Sequence, residues 1–135
     1  MRAFLDTNIL VYAQQSGAKG ETAKDIVAKG GIISVQVLNE LVSVLRRKLR
    51  RSWRDVEDVV DDVTSVLEPA LPLTVQSHVA ALGIAREDGL SFYDALIVAS
   101  ALEAGCDTLY SEDLQHGRAF AGLTIHNPFL PRAAD

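Results

Sequence analysis

One segment restricts the fold more than any other. It is Ser91 to Leu102 (SFYDALIVASAL), in which Ser100 is the one polar residue after Asp94. A helix apolar on every side has to be covered on every side. The chain must therefore build layers around this helix rather than lay it on a surface. The segment also opens on a carboxylate, and Asp is almost never fully buried without a partner. Asp94 either caps the helix mouth or meets something positive there. Ser91, three residues earlier, offers the spacing of a capping box, so both readings stay open on this segment alone.

The rest of the chain supplies the layers. Short β-branched or aromatic runs at Arg2–Leu5, Ile32–Ile33, Leu71–Leu73, within Asp107–Ser111, and at Leu123–Ile125 read as about five strands. Helical patterns lie between them. Ile9–Gln14 follows a cap at Asp6 or Thr7, and Glu21–Ala28 is stopped by Gly30-Gly31. Ser34 caps a helix reaching about Leu49, with the stripe Val35, Leu38, Leu41, Val42, Leu45 and Leu49. Ser52 to Asp55 has capping-box spacing and opens a helix that turns Val56, Val59, Val60, Val63, Val66 and Leu67 inward. Thr74 starts another, closed by Gly89, and the apolar helix ends at Gly105. Glu112–Gly122 reads as a loop or short turn, and Asn127-Pro-Phe129 leads into a polar tail. Strands alternating with helices predict an α/β fold whose mainly parallel sheet is covered on both faces. At 135 residues, a single domain over residues 1–135 is expected.

Several classes fall away. A lone cysteine, Cys106, allows no internal disulfide and no multi-cysteine metal site. Asp6 interrupts any apolar leader, and no apolar run is long enough to span a membrane, so a soluble cytoplasmic protein is expected. The net charge of −5 argues mildly against a general nucleic-acid binder, but six of the 13 basic residues crowd into Arg46–Arg54. There is no P-loop, no G-x-G-x-x-G and no serine nucleophile elbow. Asp6-Thr7-Asn8 lacks the second aspartate of an aspartyl-phosphate phosphatase.

In parallel sheets, ligands sit outside the carboxyl ends of the strands. Asp6 follows the first strand and Glu40 lies soon after the second. Asp94 heads a helix between the third and fourth, and Asp113 follows the fourth. Each has an ordinary reading as a cap or a solvated acid. Together they can converge on one edge, where like charges raise each other's pKa and a hard divalent cation, Mg²⁺ or Mn²⁺, relieves the repulsion. His78, His116 and His126 are too scattered to suggest zinc.

Four blocks carry a resemblance: LDTNILVY at Leu5–Tyr12, SVQVLNE at Ser34–Glu40, SFYDALIVASAL at Ser91–Leu102 and LYSEDLQHG at Leu109–Gly117. In that order they resemble PIN-domain nucleases, and more narrowly the VapC-type toxins of bacterial toxin–antitoxin pairs. The resemblance implies a three-layer α/β/α fold and a metal-dependent endoribonuclease. Asp6, Glu40, Asp94 and Asp113 match the family's acidic positions and would hold one or two Mg²⁺ or Mn²⁺ ions. Asn8 and Ser111 match supporting polar positions, and the family spacing favours Asp113 over Glu112. It also implies a small antitoxin partner and a homodimer.

The basic run then has two readings. It is a solvated face paired with the acids that follow Asp55, or Arg47 and Arg51 steer RNA phosphates toward the metal. Trp53 and Tyr93 can stack on bases or pack at a rim, and His116 can contact phosphate near Asp113 or sit in a solvated loop. Two other functions remain: an RNA-processing nuclease that is not a toxin, and an inactive PIN fold that binds protein.

Overall fold

In the computed structural model, which describes residues 1–131, the chain runs β1 (Ala3–Leu5), α1 (Thr7–Tyr12), α2 (Ala18–Ala28), α3 (Val35–Arg47), α4 (Trp53–Val66), α5 (Val75–Asp88), α6 (Phe92–Glu103), β2 (Thr108–Tyr110), β3 (Ala119–Phe120) and β4 (Leu123–His126). The end of the expected polar tail, from residue 132 on, lies outside the described residues. The helix starts follow the capping chemistry. Ser52, Thr74 and Ser91 each accept a hydrogen bond from the backbone N–H three residues on, at 3.1, 3.0 and 3.2 Å. Asp6 caps α1 by accepting from Thr7 N at 2.7 Å. Gly89 ends α5 in the left-handed conformation, φ 69°. Ser34 precedes α3 as expected, but its buried hydroxyl makes no hydrogen bond.

The sheet has four strands rather than five, in the order β1-β2-β4-β3. β1–β2 and β2–β4 are parallel, and β3 returns antiparallel to β4. Ile32–Ile33 and Leu71–Leu73 contribute only single bridges, Phe4 to Ile32 and Ser34 to Leu71. The reason is room. Gly30-Gly31 and the start of α3 leave too few extended residues in the first segment. Pro72, without an N–H, prevents the second from continuing a ladder. β3 falls inside the stretch expected to be a loop. Ala121 and Gly122, at φ 46° and 90°, turn the chain back onto it.

The architecture is the three-layer α/β/α arrangement that the resemblance implied, with one large buried cluster and a smaller one between α5 and α6. Phe4, Leu109, Leu123 and Ile125 are buried on the sheet. On α6, Ala95 to Ala101 are all buried, as an all-apolar helix requires. α5 packs on it through Ala81 against Ala95, Leu96 and Ala99. The deepest residues of α3 are Val37, Leu41 and Leu45, so the buried stripe is rotated from the expected one, whose Leu38 and Val42 are only half-buried. That rotation carries Glu40 to the margin of the core. On α4, Val56, Val59, Val63 and the following Leu67 point inward, whereas Val66 is exposed.

Candidate active site

The carboxyl ends of β1 and β2 hold the polar cluster. Asp6 immediately follows β1, and its N–H bonds Tyr110 O at 3.0 Å, so the two strand ends are pinned side by side. Ser111 immediately follows β2. Its buried hydroxyl donates to Asp6 Oδ2 at 2.7 Å and accepts from the N–H groups of Asp113 and Leu114 at 3.2 and 3.3 Å. Asn8, in the first turn of α1, donates to Asp113 Oδ2 at 3.2 Å and lies 3.5 Å from Asp6 Oδ2. Its own oxygen accepts from Glu112 N at 3.2 Å. From α3, Glu40 accepts from Thr7 Oγ1 at 2.7 Å and from Gln36 Nε2 at 3.1 Å. Asp6, Asn8, Glu40, Ser111 and Asp113 are thus joined in one network, and Thr7 and Gln36 belong to it as well.

The electrostatics of this network are strained. Asp6 is 4% exposed. Its carboxyl is raised from 3.8 to about 7: burial does most of this, the charges of Glu40 and Asp113 add to it, and the bonds from Ser111 and Thr7 oppose it. No Lys or Arg forms an ion pair with Asp6, Glu40 or Asp113 among the described residues. A buried carboxylate repelled by a half-buried one and an exposed one, oxygen donors with no cationic side chain in their midst, fits a hard divalent cation. As the side chains stand, no three of the described acidic, imidazole or thiol groups are close enough to cage one. Each carboxylate is instead turned by its own hydrogen bonds.

Asp94 is not brought into this network. It is half-buried in the first turn of α6, and its N–H is the one capped by Ser91. The reciprocal bond from Ser91 N to the Asp94 carboxylate, which would close a capping box, is absent among the described residues, so the cap leaves that carboxylate unspent. Glu112 is committed elsewhere, to Tyr12 OH at 2.7 Å and Lys19 Nζ at 2.8 Å. Burial pushes its carboxyl up, but these two bonds outweigh burial and hold it below the usual range. His116 accepts from Asn127 N through Nδ1 at 2.9 Å, so one ring nitrogen is used to fasten the loop.

The basic run is not paired with the acids of α4 among the described residues. Arg46 is held by Arg51 O at 2.8 Å and stacks over Trp53, 4.2 Å from its centroid. Arg47 is exposed, and neither it nor Arg51 lines the cleft beside the carboxylates. Lys48 does. Trp53 and Tyr93 are both largely exposed.

The PIN domain family model matches residues 3–120, a span that includes Asp6, Glu40, Asp94 and Asp113. The chain belongs to the PIN domain family. Among solved structures, this PIN domain is similar to VapC20 of Mycobacterium tuberculosis, a sarcin–ricin loop cleaving toxin, with a TM-score of 0.66, 24% identity and coverage of 82% of this chain and 89% of that one. It is also similar to a toxin–antitoxin complex from Klebsiella pneumoniae, at TM-score 0.70 and 19% identity over 94% and 98% of the two chains. VapBC2 of Rickettsia felis, bound to a DNA fragment from its promoter, matches at 0.69 and 21% over 94% and 98%. At these identities the likeness is one of fold. No curated protein matches by sequence.

Three further residues brace or line this cleft without standing out in the sequence. Gln36 stands one helical turn before Glu40, and that spacing was a usable signal. Thr7 was read only as a possible cap, yet it bridges β1 to α3. Lys48 was one cation among six, and only the helix rotation distinguishes it.

Proposed function

We propose that this PIN domain, a single domain over residues 1–135, is a metal-dependent endoribonuclease and the toxin of a toxin–antitoxin pair. The observation that carries this reading is the buried Asp6 carboxylate joined in one hydrogen-bond network with Glu40 and Asp113, with no cationic side chain paired to them among the described residues. Such a site favours a neutral side chain or a bound cation. Asp6, Glu40 and Asp113, joined by Asp94 from the mouth of α6, would hold Mg²⁺ or Mn²⁺. When bound, that ion supplies charge neutralisation at the phosphodiester and a lowered pKa for the attacking water.

The side chains do the positioning. Ser111 Oγ and Thr7 N take one Asp6 oxygen each, fixing the plane of the carboxylate. Thr7 Oγ1 and Gln36 Nε2 do the same for Glu40, and Asn8 orients Asp113. Second-sphere bonds of this kind set ligand direction and basicity. The similar toxin–antitoxin complexes support an antitoxin as partner; a small antitoxin, a homodimer and a cytoplasmic setting belong to the same reading.

The test is cleavage of total RNA by the purified protein in Mg²⁺ or Mn²⁺, in EDTA, and with Asp6→Asn. Cleavage confined to the metal-loaded parent is expected. Undiminished cleavage in EDTA or by the variant rejects the mechanism. Expression without a partner separates the roles: growth arrest relieved by Asp6→Asn marks a toxin. Normal growth with active enzyme marks an RNA-processing nuclease, and no cleavage under any condition marks a protein-binding module.

A further inference from the structure

The carboxylates occupy one end of a cleft of roughly 450 Å³ that continues between α1 and α3. Its near end is Thr7, Asn8, Glu40 and Asp113; its far end is built differently. Val11 on α1 faces Val44 on α3 and Leu49 just beyond it, all half-buried. Gln15 and Ser43 stand at the rim, and neither side chain has a hydrogen-bond partner among the described residues. Lys48 closes this end, with no carboxylate at ion-pair distance among the described residues. The α1 wall is braced: Tyr12 is bonded to Glu112, lies edge-on to Phe129 at 4.8 Å, and carries Lys19 5.0 Å above its ring.

An apolar slot with open hydrogen-bonding groups at its rim is the usual anatomy of a small-ligand site, and the whole cleft, carboxylate end included, has the volume of such a site. Flat rings fill apolar slots, edge amides and hydroxyls read their margins, and a lone ammonium takes a phosphate. We infer that the far half of the cleft binds one unpaired nucleotide of an RNA strand: its base lies against Val11, Val44 and Leu49, and the phosphate flanking the scissile one sits on Lys48. The inference rests on the nuclease reading for the direction of the strand. It gives the phosphate contact to Lys48 rather than to Arg47 and Arg51, the pair named in one of the two sequence readings of the basic run. A nucleotide that enters this slot has to be unstacked from its neighbours, so loops and single strands fit and an intact duplex does not.

The test uses the full chain and a labelled pool of random single-stranded RNA dodecamers, with binding measured in EDTA, where no cleavage intervenes. Lys48→Gln is expected to weaken binding about threefold to tenfold. It should also flatten the plot of log affinity against log salt by about 0.7, the loss of one phosphate contact on a single strand. Arg86→Gln, the same change of charge on α5, is expected to do neither. In Mg²⁺, Lys48→Gln should raise KM with little change in kcat. Gln15→Ala and Ser43→Ala should alter base preference at one position of the bound RNA.

Equal losses for Lys48→Gln and Arg86→Gln, or no loss for Lys48→Gln, overturn the subsite. So does a fall in kcat at unchanged KM, which would place Lys48 on the scissile phosphate. Protein that binds as expected but cleaves nothing sinks the nuclease reading and leaves the subsite standing. Metal-dependent cleavage with Lys48→Gln binding like the parent does the reverse.

Discussion

Replacing Asp6 by Asn should abolish cleavage and yet make the metal-free protein more stable at alkaline pH. The rise of the Asp6 carboxyl from 3.8 to about 7 corresponds to roughly 4 kcal/mol of preference for its neutral form in the folded chain. An unfolded Asp6 sheds its proton near pH 4 and the folded one near pH 7. Between those values the folded chain binds the extra proton, so stability falls as pH climbs, and above about pH 7 the whole cost is present. Asn carries no charge at any of these pH values and keeps the oxygen that accepts from Thr7 N at 2.7 Å. It loses the charged acceptor of the Ser111 hydroxyl, which costs about 1–2 kcal/mol. The net gain for Asp6→Asn is about 2 kcal/mol at pH 8. At pH 5, where only part of the cost has accrued, gain and loss roughly cancel. Urea unfolding in EDTA at the two pH values measures the difference. A variant whose advantage is the same at both, or which is less stable than the parent at pH 8, would refute the account of a strained carboxylate. Mg²⁺ should then stabilise the parent with rising concentration by mass action and leave the variant nearly unmoved.

Ser111→Ala removes the donor to Asp6 and the acceptor of two backbone N–H groups, so a loss of about 2–3 kcal/mol is expected in urea unfolding. Because the lost bond favours the charged form, the acid limb of the cleavage pH profile should move upward. Ala121→Gly should add about 0.5–1 kcal/mol, since Ala121 is held at φ 46° in the β3–β4 turn; equal or lower stability in the same assay counts against it. A Cβ on Gly20 would meet the Gln15 carbonyl oxygen. Gly20→Ala should therefore cost about 2 kcal/mol or more and, by displacing Gln15, weaken binding of the dodecamer RNA; an unaltered midpoint would show that the α1–α2 loop gives way freely.

The parts legible in the sequence are those decided by local chemistry. Ser52, Thr74 and Ser91 announce helix starts because a hydroxyl three residues before an N–H is a sufficient cause. The all-apolar run from Ala95 announces a buried helix in the same way. Parts decided by competition were less legible. Ile32–Ile33 has strand character, but glycines and the oncoming α3 leave it a single bridge. On α3 apolar residues lie on two sides, so the wheel admitted a stripe through Leu38 and Val42 where packing chose Val37, Leu41 and Leu45. The hairpin at Ala119–His126 turns on Ala-Gly instead of the usual Asn-Gly and gave little warning. For the site, carboxyl positions after strands pointed to Asp6 and Asp113. The same rule pointed to Glu40 after the second strand, whereas the orientation of Asp94 follows from no sequence pattern.

The short margins of the sheet bear on how the protein survives at high concentration. One side ends in the two-residue strand β3, the other in the single Ser34–Leu71 bridge. Neither offers a row of open N–H and C=O groups long enough to template another chain. Strand-by-strand growth into fibres is therefore disfavoured at both ends of the sheet. Edge-to-edge pairing is the contact that most often ruins an exposed sheet, and both margins of this one withhold it.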